Sequence, residues 1–144
     1  MKQNRLIEAI SAILIVLFLY TGGQKVIDHS VFQIQLSRQP LPDWMLSILL
    51  WALPLAELTA AGLLVFFRTR TAGLSLSLAL MLSFTVYTAL AYTEAFGYVP
   101  CACGRIFSSM GWGAHLLVNI ILLTLNSAAL YLSHVKPRIA MNTS

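Results

Sequence analysis

The sequence has little charge and almost no cysteine. Only 10% of its 144 residues are charged, and five Asp and Glu are set against nine Lys and Arg. Soluble domains carry about 25% charged residues, so this composition excludes an ordinary soluble enzyme or binding domain. The basic residues form no cluster, and without a basic patch the sequence gives no sign of nucleic-acid binding. There is also no low-complexity tract and no convincing internal repeat.

Apolar residues take the place of charge. They make up 58% of the chain, and the mean hydropathy is +0.80. A helix needs about 20 residues to cross the apolar core of a bilayer, and four apolar stretches approach or exceed that length, at 6–23, 44–67, 71–92 and 114–133. We therefore predict an all-α membrane protein, in which residues 1–144 form one domain, a four-transmembrane-helix bundle in the lipid bilayer.

The first apolar stretch resembles a signal peptide, because Lys2 and Arg5 precede it. A signal peptide ends in a cleavage site with small residues in the pattern small-x-small. No such site follows Thr21, Gly22 and Gly23, so we interpret the stretch as the first membrane helix.

The orientation follows from the basic residues beside the predicted helices, since Lys and Arg are retained on the cytoplasmic side. One side carries six of them: Lys2, Arg5, Arg68, Arg70, Lys136 and Arg138. The other side carries three: Lys25, Arg38 and Arg105. We predict that both termini are cytoplasmic, in the inner membrane of a bacterium, and that the loop after the third helix is periplasmic.

That loop holds both cysteines, Cys101 and Cys103, in the sequence VPCACGRIF. Pro100 fixes the backbone before the pair and Gly104 allows a turn after it. Arg105 could favour a thiolate, and an oxidising compartment favours a disulfide. The pattern is therefore typical of a reactive pair, although cysteines also serve as small buried apolar residues. Copper or zinc is a third interpretation, with His115 and Met110 as further ligands, but that ligand set is thin and we predict no metal.

Several polar side chains are predicted inside the membrane, where they usually face the bundle interior. On the fourth helix, His115, Asn119 and Asn126 lie within about 40° of one another, close to Trp112 at the start of the helix. The third helix presents one face that carries Ser77, Met81, Thr88 and Tyr92. Glu57 lies near the middle of the second helix, three residues after Pro54. We predict Glu57, Tyr92 and Asn119 as candidate cofactor-binding residues and His115 as a proton donor or acceptor.

Two segments resemble the MauE/DoxX type of membrane protein. The first has a Gly-x-x-Lys near the end of helix one and a Phe seven residues later, here Gly22, Lys25 and Phe32. It also has a pattern like Pro-x-x-Glu-x-x-x-Gly in helix two, here Pro54 and Glu57, and Gly62 lies one residue after the position of the last Gly in that pattern. The second, CACGRIFSSMGWGAHLLVNIILL, resembles the MauE branch, with Cys-x-Cys, Gly and Trp before helix four. The resemblance covers about residues 6–132.

The resemblance implies a redox-associated membrane protein with four helices. MauE-type proteins are linked to the maturation of methylamine dehydrogenase, which is rich in disulfides, alongside a thioredoxin-like periplasmic partner. DoxX-type proteins are associated with quinone-linked sulfur oxidation. The resemblance assigns thiol chemistry to Cys101 and Cys103 and names no client protein for this chain.

We therefore expect thiol–disulfide exchange with an exported thioredoxin-like protein or a disulfide-containing client, with Cys101, Cys103 and His115 as catalytic residues. By analogy of architecture with other four-helix disulfide-generating proteins, a quinone between the helices would accept the electrons. Two alternatives stay open: a non-catalytic membrane scaffold that docks an exported enzyme, and a copper-handling membrane protein.

The orientation gives the first testable prediction. A membrane-impermeant maleimide applied to reduced intact cells should label Cys101 or Cys103 from the outside, because the loop is predicted to be periplasmic. Labelling is detected by a mass shift on a gel, and the Cys101→Ser, Cys103→Ser double variant serves as the blank. If labelling requires permeabilised inner membranes, the predicted orientation is wrong.

Overall fold

The structure, a computed structural model, describes residues 2–95, 97 and 111–142, with side chains described for 4–95, 97 and 111–135. It contains the helices α1 (Lys2–Ile27), α2 (His29–Ser37), α3 (Asp43–Val65), α4 (Arg70–Tyr92) and α5 (Trp112–Asn142). All except α2 are long and apolar enough to cross a membrane. This confirms the predicted all-α fold with four membrane-spanning helices.

The short helix α2 is absent from the sequence prediction, and α1 ends four residues later than predicted. A nine-residue helix cannot span a bilayer, so a search for spanning stretches passes over α2. Its signal is the helical spacing of two apolar residues, Phe32 and Leu36, which are both buried. The residue between the two helices, Asp28, has φ −99° and ψ 45°, outside the helical region.

The four long helices pack in a ring. The closest packing joins α1 to α3 and α4 to α5, while α3 also packs against α4 and α5 against α1. The helices α3 and α5 therefore lie diagonally across the bundle. We call the end where α3 begins, α4 ends and α5 begins the loop end, and the opposite end the termini end.

The apolar core fills the half of the bundle nearer the termini end. Its fully buried members come from every long helix and form one cluster: Ile7, Ile10, Leu14, Phe18, Ala60, Ala61, Leu64, Leu74, Met81 and Ala129. Many other large apolar side chains are exposed on the outer surface, for example Val16, Leu55 and Phe67. An apolar exterior around a packed core is the arrangement expected in lipid, where outward side chains face hydrocarbon.

Several hydroxyl side chains within the spanning helices make local hydrogen bonds. Thr59, Ser83 and Thr124 each donate to the backbone carbonyl four residues earlier, at 2.6, 2.9 and 2.8 Å. Such bonds to the preceding turn let Ser and Thr face an apolar environment without an unsatisfied hydroxyl. These residues therefore need no ligand to explain them.

At the termini end, α3 and α4 approach so closely that a side chain would not fit at Gly73. A Cβ placed on this buried glycine would lie 2.8 Å from the backbone nitrogen of Leu64. The turn between the helices is held by Thr69, whose hydroxyl donates to the carbonyl of Leu63 at 2.8 Å. That bond satisfies one of the carbonyls left open at the end of α3. Gly73 thus fixes the spacing of α3 and α4 by the absence of a side chain.

We predict that Gly73→Ala lowers the free energy of unfolding by about 1–3 kcal/mol, the usual effect of overpacking a tight contact. The measurement is unfolding of the purified protein in mixed micelles of mild and denaturing detergent. Gly62→Ala is the matched control, because a Cβ at Gly62 meets nothing within 4 Å and alanine is the better helix former. Equal losses in the two variants would contradict the close contact.

Candidate functional site

A buried ion pair joins α1 to α3. The Lys25 ammonium lies 2.8 Å from Oε1 and 2.9 Å from Oε2 of Glu57, and it also donates to the carbonyl of Thr21 at 3.4 Å. The two side chains are only 5% and 1% exposed. An ammonium has three hydrogens, so these contacts engage all of its donors. The pair brings a full charge of each sign into the bundle, and each charge is compensated by the other.

Aromatic rings and a glycine complete the surroundings of this pair. The Lys25 nitrogen lies 5.7 Å from the centre of the Phe32 ring and 5.9 Å from that of Phe84, within the range of cation–π attraction. A Cβ on Gly22 would lie 3.1 Å from Cβ of Glu57, so the glycine lets α1 approach the carboxylate. Four of the residues that carry the family resemblance, Gly22, Lys25, Phe32 and Glu57, therefore meet at one place.

The ion pair lies inside the membrane thickness. Glu57 comes 14 residues after α3 begins at Asp43, which corresponds to about 21 Å of helix. Lys25, by contrast, lies in the last turn of α1. The end of α1 is thus well below the loop end of α3, and α2 packs on α3 and α1 in this region. The break between α1 and α2 leaves space in the bundle just beyond Lys25.

That space is a cavity of about 200 Å³. Its walls come from all five helices and are mostly apolar. The polar groups are few and include both members of the ion pair. The lining consists of Leu17, Phe18, Thr21, Lys25, Phe32, Leu36, Gln39, Leu41, Leu49, Leu53, Glu57, Met81, Ser83, Phe84, Tyr87, His115 and Asn119. An apolar cavity with a small number of convergent polar groups is the usual form of a small-molecule site.

The helix α5 contributes His115 and Asn119 to the cavity, one turn apart. Both side chains are buried. The amide nitrogen of Asn119 donates to the Thr88 hydroxyl at 3.1 Å, and that hydroxyl donates to the carbonyl of Phe84 at 2.6 Å. The His115 ring stacks on Trp112 with 6.1 Å between the ring centres. These contacts hold both polar groups of α5 in fixed positions.

Two further polar residues line the cavity, Gln39 and Tyr87. The Tyr87 hydroxyl donates to Oε1 of Gln39, and Nε2 of Gln39 donates to the carbonyl of Gln35 at 2.9 Å. Gln39 follows α2 in the chain, so this contact ties the segment after α2 to α4. It fixes one polar edge of the cavity.

The structure brings together three of the residues predicted from sequence, because Glu57, His115 and Asn119 all line the cavity. The predicted interior position of Tyr92 is wrong. Tyr92 is 56% exposed, since it is the last residue of α4 and its ring lies beside Gly113 at the start of α5. Cys101 and Cys103 lie outside the described residues.

Other predicted interior residues follow the expected pattern. Asn126, Ser77, Met81 and Thr88 are all buried. With its amide turned so that the nitrogen faces α4, Asn126 donates to the carbonyl of Leu74 at 3.3 Å. Asn126 does not line the cavity, and its contact joins α5 to α4.

Sequence reasoning misplaced Lys25, which was counted as an outer-loop residue. It belongs to α1 and is buried, because Glu57 compensates its charge. If Lys25 is left out of the count, the predicted outer side has two basic residues, Arg38 and Arg105, and the predicted cytoplasmic side has six. The spacing in Gly22-x-x-Lys25 could have indicated that Lys25 belongs to the helix, because it places both residues on one face if the helix continues past Gly23. Gln39 and Tyr87 were also missed, and neither stands in a pattern that marks a site.

The ion pair gives a prediction about stability. Lys25→Met or Glu57→Gln alone leaves the partner's charge buried and unpaired, so each should lower the free energy of unfolding by about 3–5 kcal/mol. The double variant removes both charges and should lose less than the sum of the two. Unfolding in mixed micelles measures all three. Strict additivity would show that the two side chains do not interact.

Comparison with known protein families gives a match. The family model described as Methylamine utilisation protein MauE matches residues 3–132. Comparison with curated proteins and with solved structures gave no match. The matched range contains the ion pair and the whole lining of the cavity. It also contains Cys101 and Cys103, and it confirms the resemblance noted in the sequence. The chain therefore belongs to the MauE family and is a multi-pass membrane protein.

Proposed function

We propose that this protein exchanges a disulfide with an exported thioredoxin-like protein and thereby supports disulfide formation in exported proteins. The observation that carries the proposal is the position of the chain's two cysteines in the sequence. They lie one residue apart between α4 and α5. The described residues on either side of that segment belong to the loop end of the bundle, where His115 and the cavity also lie.

The chemistry is thiol–disulfide exchange. A thiolate of the reduced partner attacks one sulfur of a Cys101–Cys103 disulfide and forms a mixed disulfide. The second thiol of the partner then attacks the mixed disulfide, so the partner leaves oxidised and Cys101 and Cys103 leave as two thiols. Two electrons and two protons pass from the partner to this protein in each cycle.

His115 is the described residue best placed to serve this exchange. It is buried in the first turns of α5, stacked on Trp112, and the preceding segment of chain carries the cysteines. An imidazole has one nitrogen that can accept a proton and one that can donate it, so in this proposal His115 accepts a proton from a thiol and returns it. We assign it proton transfer and no covalent step.

A non-catalytic role is the second candidate, in which the protein is a scaffold for the assembly of an exported enzyme. One observation favours it: all three donors of Lys25 are already engaged within the bundle, as in a purely structural ion pair. In this case the cysteines would only brace their loop, and no mixed disulfide would form.

Single cysteine variants distinguish these candidates. If the pair is catalytic, the exchange also runs in reverse, so the remaining thiolate of a single variant should attack the disulfide of the oxidised partner, and this protein has no second cysteine to release the mixed disulfide. Either Cys101→Ser or Cys103→Ser should therefore accumulate an adduct that disappears on reduction. The readout is a non-reducing gel of the tagged protein, with the trapped partner identified by mass spectrometry as a thioredoxin-fold protein. His115→Ala in the trapping background should slow adduct formation by about 10²-fold or more and still allow it.

The double variant Cys101→Ser, Cys103→Ser is the control and should trap nothing. If neither single variant forms an adduct and both retain full function, the protein is a non-catalytic scaffold. Copper or zinc that copurifies with the wild type and is lost from both single variants, again with no adduct, would indicate a metal-handling protein.

A further inference from the structure

The cavity has a charge balance that restricts what it can bind. Two of its lining residues, Lys25 and Glu57, form an ion pair at 2.8 Å and so compensate each other's charge. A charged ligand would have to enter an apolar space without a counter-charge from the described walls, which is costly. The cavity therefore favours a ligand with no net charge.

The walls and the volume restrict the ligand further. Leucine, phenylalanine and methionine side chains form most of the surface, including Leu53, Met81 and Phe84. A cavity of about 150 Å³ with such walls binds benzene, and this one measures about 200 Å³. It therefore has room for one substituted six-membered ring, and apolar substituents of that ring would be well accommodated.

Polar groups lie on opposite walls. Glu57, Lys25 and Thr21 belong to the α1–α3 side, while His115 and Asn119 project from α5, diagonally across the bundle from α3. An amide nitrogen carries two hydrogens, and the structure shows Asn119 donating one bond, to Thr88. Its other hydrogen can serve an acceptor in the cavity. The Lys25 hydrogens and the Thr21 hydroxyl are already engaged, so on the α1–α3 wall the Glu57 carboxylate can serve a ligand as an acceptor. A ring with an oxygen at each end could therefore accept from Asn119 at one end and, when reduced, donate a hydroxyl to Glu57 at the other.

We infer that this cavity is the binding site of a quinone, with Asn119 as the residue that donates to one ring carbonyl. The quinone class unites the three requirements, since its members are uncharged, soluble in lipid and carry two carbonyls on opposite sides of one ring. The hydroquinone is also uncharged, so reduction brings no net charge into the cavity.

The redox role of the ligand rests on the proposed function. As Cys101 and Cys103 form their disulfide, two thiols lose two electrons and two protons, and a quinone takes up both to become a hydroquinone. The exchange therefore balances with one quinone for each disulfide. Binding itself does not depend on the thiols and can be tested without them.

The test uses the Cys101→Ser, Cys103→Ser variant, which cannot reduce the probe. Decylubiquinone binding is measured by isothermal titration calorimetry in detergent micelles, with decylbenzene as a probe that has the same tail and no carbonyls. We expect one decylubiquinone site per chain and at least tenfold weaker binding of decylbenzene. Absence of saturable decylubiquinone binding, or equal affinity for the two probes, would overturn the inference.

Two matched pairs of variants locate the site. Leu53→Trp fills the cavity and should abolish binding, while Leu55→Trp, on the exposed face of α3, should leave it unchanged. Asn119→Leu should weaken binding at least tenfold, and Asn126→Leu, which removes a buried amide that does not line the cavity, should not. If either member of the tryptophan pair gives the opposite result, the cavity is not the site.

These outcomes are independent of the proposed exchange. Decylubiquinone binding with no trapped partner would retain the site and reject the exchange. A trapped partner with no decylubiquinone binding would retain the exchange and reject the site.

Discussion

The ion pair of Lys25 and Glu57 determines the form of this bundle. A lone ammonium or carboxylate at this depth would be very unfavourable, so each side chain requires the other, and α1 must approach α3 where they meet. Gly22 permits that approach because it has no side chain, and Phe32 and Phe84 surround the ammonium. With Lys25 in its last turn, α1 ends inside the membrane thickness, and α2 continues beside the cavity. The position of the cavity therefore follows from the pair.

The bundle consists of two halves with different packing. Towards the termini end, the helices share a continuous apolar core, and α3 and α4 are in close contact at Gly73. Towards the loop end, the helices line a cavity with fixed polar groups. This division suits a protein in which one half maintains the bundle in lipid and the other accepts a ligand. It also places the cavity at the end of the bundle where α4 ends and α5 begins.

Much of this architecture is predictable from the sequence. The four spanning helices are encoded in long apolar runs, and the buried stripe of His115, Asn119 and Asn126 follows from helical spacing alone. Contacts between helices are harder to predict, because helical periodicity shows which face of a helix is buried. It does not show which residues of the neighbouring helix lie opposite that face. The sequence pattern therefore places Lys25 in a loop, and only its contact with Glu57 in the structure accounts for its burial. Tyr92 shares a face with Thr88, but α4 ends there and leaves its ring exposed.

In the proposed reaction, electrons from the cysteine pair reach a quinone bound in the bundle. The most direct measurement mixes the reduced protein with decylubiquinone without oxygen and counts both free thiols and hydroquinone. We expect one hydroquinone to form and two thiols to be lost per chain, and no reaction in Leu53→Trp. Thiols that persist while the quinone stays oxidised would contradict it.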